Sequence, residues 1–191
     1  MPPVLSLRPP RLRWCDPIAL LLAGMPARAE LRALLIGVSG YPALPERLRL
    51  QGPRNDVQRL RQILLQRGLA PARLRVLADG VPGAALPTRA NILAALDELA
   101  RDAQADDVVV VHFAGHGSRQ PAADGSGLAP VFLPLDVGPW DGGARSVQNA
   151  IGSPELRAAL DRIGDRGAFV WAIVDACHSA ALVREIGRAH V

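Results

Sequence analysis

Two stretches of this chain constrain its fold more than any other: residues 108–113, VVVVHF, and residues 168–174, AFVWAIV. Runs of β-branched and aromatic residues without polar alternation read as strands covered on both faces, the pattern of strands inside a parallel sheet. Parallel neighbours need crossover connections, usually helices, and the rest of the chain supplies them. Residues 33–38, ALLIGV, form a first strand-sized run. Asn55 and Asp56 then stand as caps before Val57, Leu60, Ile63 and Leu64 at helical spacing, with Gly68 and Pro71 as the stop. Residues 73–77 are short and β-compatible.

Thr88 caps a second helix that places Ile92, Leu93, Leu96 and Leu99 on one face. Ser153, Pro154 and Glu155 open a third by capping and first-turn logic, with Leu156, Leu160 and Ile163 turned inward before Gly164 and Gly167. Between residue 117 and about residue 150 the Gly-, Pro- and Asp-rich composition predicts a long loop with one short strand over 131–135. Strands alternating with amphipathic helices predict an α/β fold of three layers, an open and mostly parallel sheet flanked by helices. A chain of 191 residues is one such domain.

Composition excludes several functions. The net charge of +4 comes from arginine with no lysine, scattered along the chain, and aromatic residues make up 4%. Nucleic-acid binding, which needs clustered cations and stacking surfaces, is not expected. Cys15 and Cys177 make no disulfide framework, and no CxxC pair or His-carboxylate spacing suggests a metal or other cofactor. Residues 1–29 combine arginines at 8, 11 and 13, the apolar run IALLLA and an Ala27-Arg28-Ala29 cleavage context. This reads as an export signal, placing the mature protein in the periplasm or outside the cell. The alternative is a mis-started, disordered N-terminus and a cytoplasmic protein. The apolar run is too short for a membrane span.

Ligands of open α/β sheets bind beyond the carboxyl ends of the strands. There the first of the two runs leads into Ala114-Gly115-His116-Gly117 and the second into Asp175-Ala176-Cys177-His178-Ser179. A thiol has an ordinary pKa near 8.5 and needs a base or cation to become a nucleophile at neutral pH. His116 is the candidate base and Cys177 the candidate nucleophile. The amides of Gly117 and Cys177 are candidate donors to a developing oxyanion. His112, inside the strand, is expected to be structural, and His178 a turn or rim residue.

HFAGHG at 112–117 together with DACHSA at 175–180 resembles the caspase/metacaspase superfamily, most closely bacterial metacaspase-like proteins. The resemblance runs from about Arg32 to Leu182 and includes ALLIGVSGY and GPRNDV. It implies a caspase-like cysteine endopeptidase domain over 30–185, with Cys177 as nucleophile and His116 as base. It also implies that Asp175 and the acid of the N-D motif, Asp56, line a pocket for a basic residue, so that cleavage of protein or peptide substrates follows Arg or Lys. For Asp56 the competing expectation is a helix N-cap, for Asp175 a turn-orienting role. Ala114 stands where many metacaspases have Ser, and Ala180 where they have Gly. Ala129 and the stretch Ile151-Gly152-Ser153-Pro154 replace calcium-binding acids, so no calcium requirement is expected.

The family fold continues past the nucleophile, so C-terminal strands are expected to be missing. Residues 186–191, IGRAHV, read as a non-native tail. Two other functions fit less well: a non-catalytic caspase-like interaction module, and a Cys–His hydrolase or acyltransferase with a non-peptide substrate.

Overall fold

The computed structural model describes residues 29–122, 124–139 and 146–177. The expected export signal falls outside these residues except for Ala29; His178, Ala180 and the expected tail at 186–191 fall wholly outside them.

Strand β1 (Leu31–Gly37) leads through a loop to helix α1 (Gly52–Gln66) and strand β2 (Leu74–Ala78). Helix α2 (Arg89–Asp102) connects to strand β3 (Val108–Gly115). Strands β4 (Gly117–Pro121), β5 (Leu128–Phe132) and β6 (Ile151–Gly152) follow, then helix α3 (Ser153–Gly164) and strand β7 (Phe169–Ala176). The main sheet has the order β2-β1-β3-β7, and every pairing in it is parallel. This is the expected three-layer α/β fold.

The two faces are built by strand alternation. Leu34, Ile36, Val109, Val111 and Phe113 pack with Ile92 and Leu96 of α2 and Leu156 and Ile163 of α3. Each such fully buried side chain contributes about 1.5–3 kcal/mol. On the opposite face Leu35 packs with Val57 of α1, and Pro53 and Val57 rest against Gly37. The same face continues across β3 and β7, because Leu35 pairs with His112 and Gly37 with Ala114, while His112 pairs with Ile173 and Ala114 with Asp175. Asp107 ties the strand starts together: its carboxylate accepts from the Glu30 and Gln104 amides and from Arg32 Nε at 2.9–3.1 Å.

Three expectations need correction. Helix α1 starts at Gly52 with Gln51 as N-cap and Pro53 in its first turn, so neither Asn55 nor Asp56 is a cap. Pro needs no amide partner there and presets the helical φ, which moves the start upstream. Helix α3 takes Gly152 as N-cap, and Ser153 is its first, fully buried residue. The long loop contains a second, antiparallel sheet of order β4-β5-β6. Its hairpin turn is held by Asp124 Oδ1 accepting from the Ser126 amide at 2.9 Å, an Asx-turn. Thr88 behaves as expected, its Oγ1 accepting from the Asn91 amide.

Strand β7 differs in one further respect. It is the edge of the described sheet, and on the α1 side Phe169, Trp171 and Ile173 are 59%, 60% and 44% exposed. Its apolar composition matches a strand covered on both faces, but α1 packs mainly on β1, β2 and β3.

Candidate functional site

The register of β3 and β7 decides which groups meet at the carboxyl edge of the sheet. Ala114 pairs with Asp175 and Gly115 with Ala176, so the next residues, His116 and Cys177, leave the sheet side by side. Gly117 lies directly against them, since a Cβ built on it would stand 2.0 Å from the Cys177 carbonyl oxygen. The thiol of Cys177 is free and exposed.

The imidazole of His116 is held by backbone that the motif does not show. Its Nε2 lies 2.7 Å from the carbonyl oxygen of Leu48, at the end of a 3-10 turn over Glu46–Leu48. A carbonyl only accepts, so Nε2 carries the proton and Nδ1 is left with a lone pair. The main-chain N–H of His116 donates to the hydroxyl of Tyr41 at 2.6 Å, and the two rings lie 4.8 Å apart. Burial pushes the Tyr41 hydroxyl above its ordinary pKa, an effect the His116 amide opposes and the charges of Asp79 and Cys177 reinforce. Tyr41 therefore stays protonated.

The Gly117 amide has a defined direction. Leu133 N donates to His116 O at 3.0 Å, so the carbonyl of the 116–117 peptide points toward the chain leaving β5. In a trans peptide the N–H points opposite to the carbonyl, so the Gly117 N–H points away from β5. It is available as a donor next to Cys177. The Cys177 amide comes just after the last registered pair, Gly115 with Ala176.

Asp56 and Asp175 share the α1 side of the sheet. Asp56 lies inside α1, half-buried, and Asp175 is exposed at the end of β7. His112 reports both. Burial holds its pKa below the ordinary value, while Asp175 and Asp56 each push it up. His112 is 5% exposed, and its Nδ1 has no hydrogen-bond partner among the described residues. Sequence reasoning assigned no role to Tyr41 or to the Leu48 carbonyl. Tyr41 was findable as the chain's only tyrosine, just after β1 at the ligand-binding edge; a carbonyl leaves no trace in side-chain chemistry.

The family profile described as metacaspase, peptidase C14 domain, matches residues 31–185. Metacaspase-7 of Arabidopsis thaliana is 35% identical over 159 residues, covering 81% of this chain and 36% of the relative. Metacaspase-1B of Aspergillus oryzae is 35% identical over 153 residues, 78% of this chain and 34% of the relative. The chain thus spans about a third of the length of these relatives. Protein GSU0716 from Geobacter sulfurreducens, a solved structure, shares the fold with a TM-score of 0.58 at 19% identity over 77% of this chain and 50% of its own. With more than three quarters of its length matched in profile and in relatives, this chain belongs to the metacaspase family of peptidases.

Proposed function

We propose that this chain carries the reactive centre of a cysteine endopeptidase that cleaves proteins after Arg or Lys, with Cys177 as nucleophile and His116 as base. The observation that carries the reading is the adjacency of His116 and Cys177 at the sheet edge with the Nε2 proton committed to Leu48. Nδ1 then takes the proton of Sγ, and the thiolate attacks the scissile carbonyl carbon. The oxyanion is met by the amides of Gly117 and Cys177, each such donor being worth about 10²–10³ in rate. The imidazolium next gives its proton to the departing amine, leaving a thioester. Water, deprotonated by the same nitrogen, attacks the thioester and releases the acid.

The basic-residue preference rests on Asp56 and Asp175. Freed from capping, Asp56 sits on α1, the helix on the same side of the sheet as Asp175, and the charges of both act on His112. Two carboxylates suit a guanidinium through paired charge-assisted bonds. Calcium is not needed in this reading. Ala129, Gly152, Ser153, Pro154 and Arg157 line a cavity of about 550 Å³ in which Asp124 is the one carboxylate among the described lining residues. The charge and hydropathy pattern of residues 1–29 supports an exported protein. Among the described residues no helix is long and apolar enough to cross a membrane.

A second reading, a non-catalytic interaction module, is favoured by the open apolar face at Phe169, Trp171 and Ile173. Alkylation separates the two. Iodoacetamide labelling of Cys177, followed by peptide mass mapping across pH 5–9, is expected to be fast at neutral pH and slowed at least about tenfold in His116→Ala. Labelling at the rate of a free thiol, indifferent to His116, favours the module.

A further inference from the structure

Tyr41 is 1% exposed and has a φ of +44°. A bulky side chain with positive φ is held there only by its surroundings, and such residues gather at functional sites. We propose that Tyr41 is a positioning residue for the His116 imidazole: its hydroxyl anchors the His116 main chain and its ring forms the wall against which the imidazole rests. The proposal rests on the reading of His116 as base.

Three contacts carry it. The hydroxyl accepts the His116 amide at 2.6 Å, and the phenol ring lies 4.8 Å from the imidazole at 44°. The third is a reserved space: a Cβ at Gly115 would stand 2.6 Å from the Tyr41 hydroxyl, so only glycine admits the phenol to that position. Tyr41 and Leu48 also belong to one closed loop. Leu50 N donates to Ser39 O at 2.9 Å, Leu44 N to Tyr41 O at 3.0 Å and Leu48 N to Pro45 O at 2.9 Å. The loop therefore grips His116 twice, at its amide through Tyr41 and at Nε2 through Leu48. With both ends held, the ring keeps the tautomer and the tilt that leave Nδ1 free. Without the hydroxyl, the His116 main chain is released and the bond from Nε2 to Leu48 O slackens.

The test compares wild type, Tyr41→Phe, Tyr41→Leu and His116→Ala in hydrolysis of an Arg-ending fluorogenic peptide and in Cys177 alkylation, both across pH 5–9. Tyr41→Phe keeps the ring and is expected to lower kcat about tenfold at unchanged KM, with the pH profile of kcat displaced from that of the wild type. Tyr41→Leu removes the wall too and is expected to lose about a hundredfold. A residue that only supported the fold would lower the melting temperature and leave the pH profile in place. Wild-type kcat and profile in Tyr41→Phe, with His116→Ala inactive, overturns the positioning role and leaves the base standing. His116→Ala with wild-type rates sinks the reading of the base and the proposal together.

A probe that keeps Tyr41 in place covers loss of folding in the Tyr41 variants. Tyr41 is the only tyrosine in the sequence, so 3-fluorotyrosine places one fluorine beside His116. Its ¹⁹F resonance is expected to titrate with the midpoint of the Cys177 alkylation profile and to stop doing so in His116→Ala. A resonance flat from pH 5 to 9 overturns the contact.

Discussion

Replacing Gly117 by Ala is the most informative single perturbation of the site. The added Cβ would stand 2.0 Å from the Cys177 carbonyl oxygen, where a carbon and an oxygen need about 3.3 Å, so roughly 1.3 Å must be made up by moving backbone. The same Cβ would stand 3.1 Å from the carbonyl carbon and 3.4 Å from the Ala176 Cβ, which blocks a sideways escape. Either the end of β7 carrying Cys177 recedes or the β3–β4 bend carrying His116 does. Misplacement by about 1 Å costs about 10² in rate, while local overpacking costs about 1–3 kcal/mol of stability. For a chain of this size that lowers Tm by about 2–12 °C. Gly117→Ala is therefore expected to lose at least about a hundredfold in kcat/KM for an Arg-ending peptide while remaining folded by circular dichroism and calorimetry. A folded variant with wild-type kcat/KM would refute the reasoning that β4 and Cys177 are locked together.

Asp175→Asn and Asp56→Asn are each expected to lower kcat/KM for Arg-ending peptides by about 10–100-fold, the worth of one hydrogen bond to a charged group; peptides with an uncharged residue before the scissile bond measure whether the loss is specific. His112→Leu removes a buried polar atom that has no partner among the described residues, so stability at pH 7 is expected to stay within about 1 kcal/mol of wild type or rise. Because burial lowers the folded pKa of His112, the unfolded chain binds its proton first, and stability falls as pH drops below about 6.5. Urea titrations at pH 7.5 and 5.5 should show that fall diminished in the variant. Asp107→Ala breaks the buried pair with Arg32 and two amide bonds, and is expected to cost about 3 kcal/mol. Burial pushes the Asp107 carboxyl up, but the Arg32 bond and the two amides prevail and hold it low. Its stabilisation is present above pH 3.8 and lost as pH falls below that value, which acid titration by circular dichroism reads directly. Addition of a calcium chelator is expected to leave the hydrolysis rate unchanged.

The main sheet was legible because its strands leave little choice. Four successive valines at 108–111 fit a strand between two neighbours, and Ile92, Leu96, Leu156 and Ile163 recur at helical spacing on the helices that cover it. The antiparallel hairpin was less legible, because β4 (GSRQP) has no apolar alternation and is held by its turn and its partner. The turn itself, Asp124-Gly125-Ser126-Gly127, was a usable signal. Asp56 looked like a cap because acids favour helix starts, but Pro53 three residues earlier takes the first turn. At the site, the reactive side chains were visible as strand-end residues. Their support was not: the Leu48 carbonyl is backbone, and Tyr41 reaches His116 across a separation of 75 residues. Strand β7 read as covered on both faces from AFVWAIV, whereas its open face is set by the reach of α1, a tertiary quantity.

The central claim is that Cys177, activated by His116, cleaves after basic residues. Its most direct measurement is hydrolysis of matched fluorogenic peptides ending in Arg, Lys or Asp by the protein and by Cys177→Ala, with chelator present. Cleavage after Arg and Lys that vanishes in Cys177→Ala is the predicted result. Cleavage after Asp would contradict the pocket of Asp56 and Asp175, and cleavage that survives in Cys177→Ala would contradict the account at its centre.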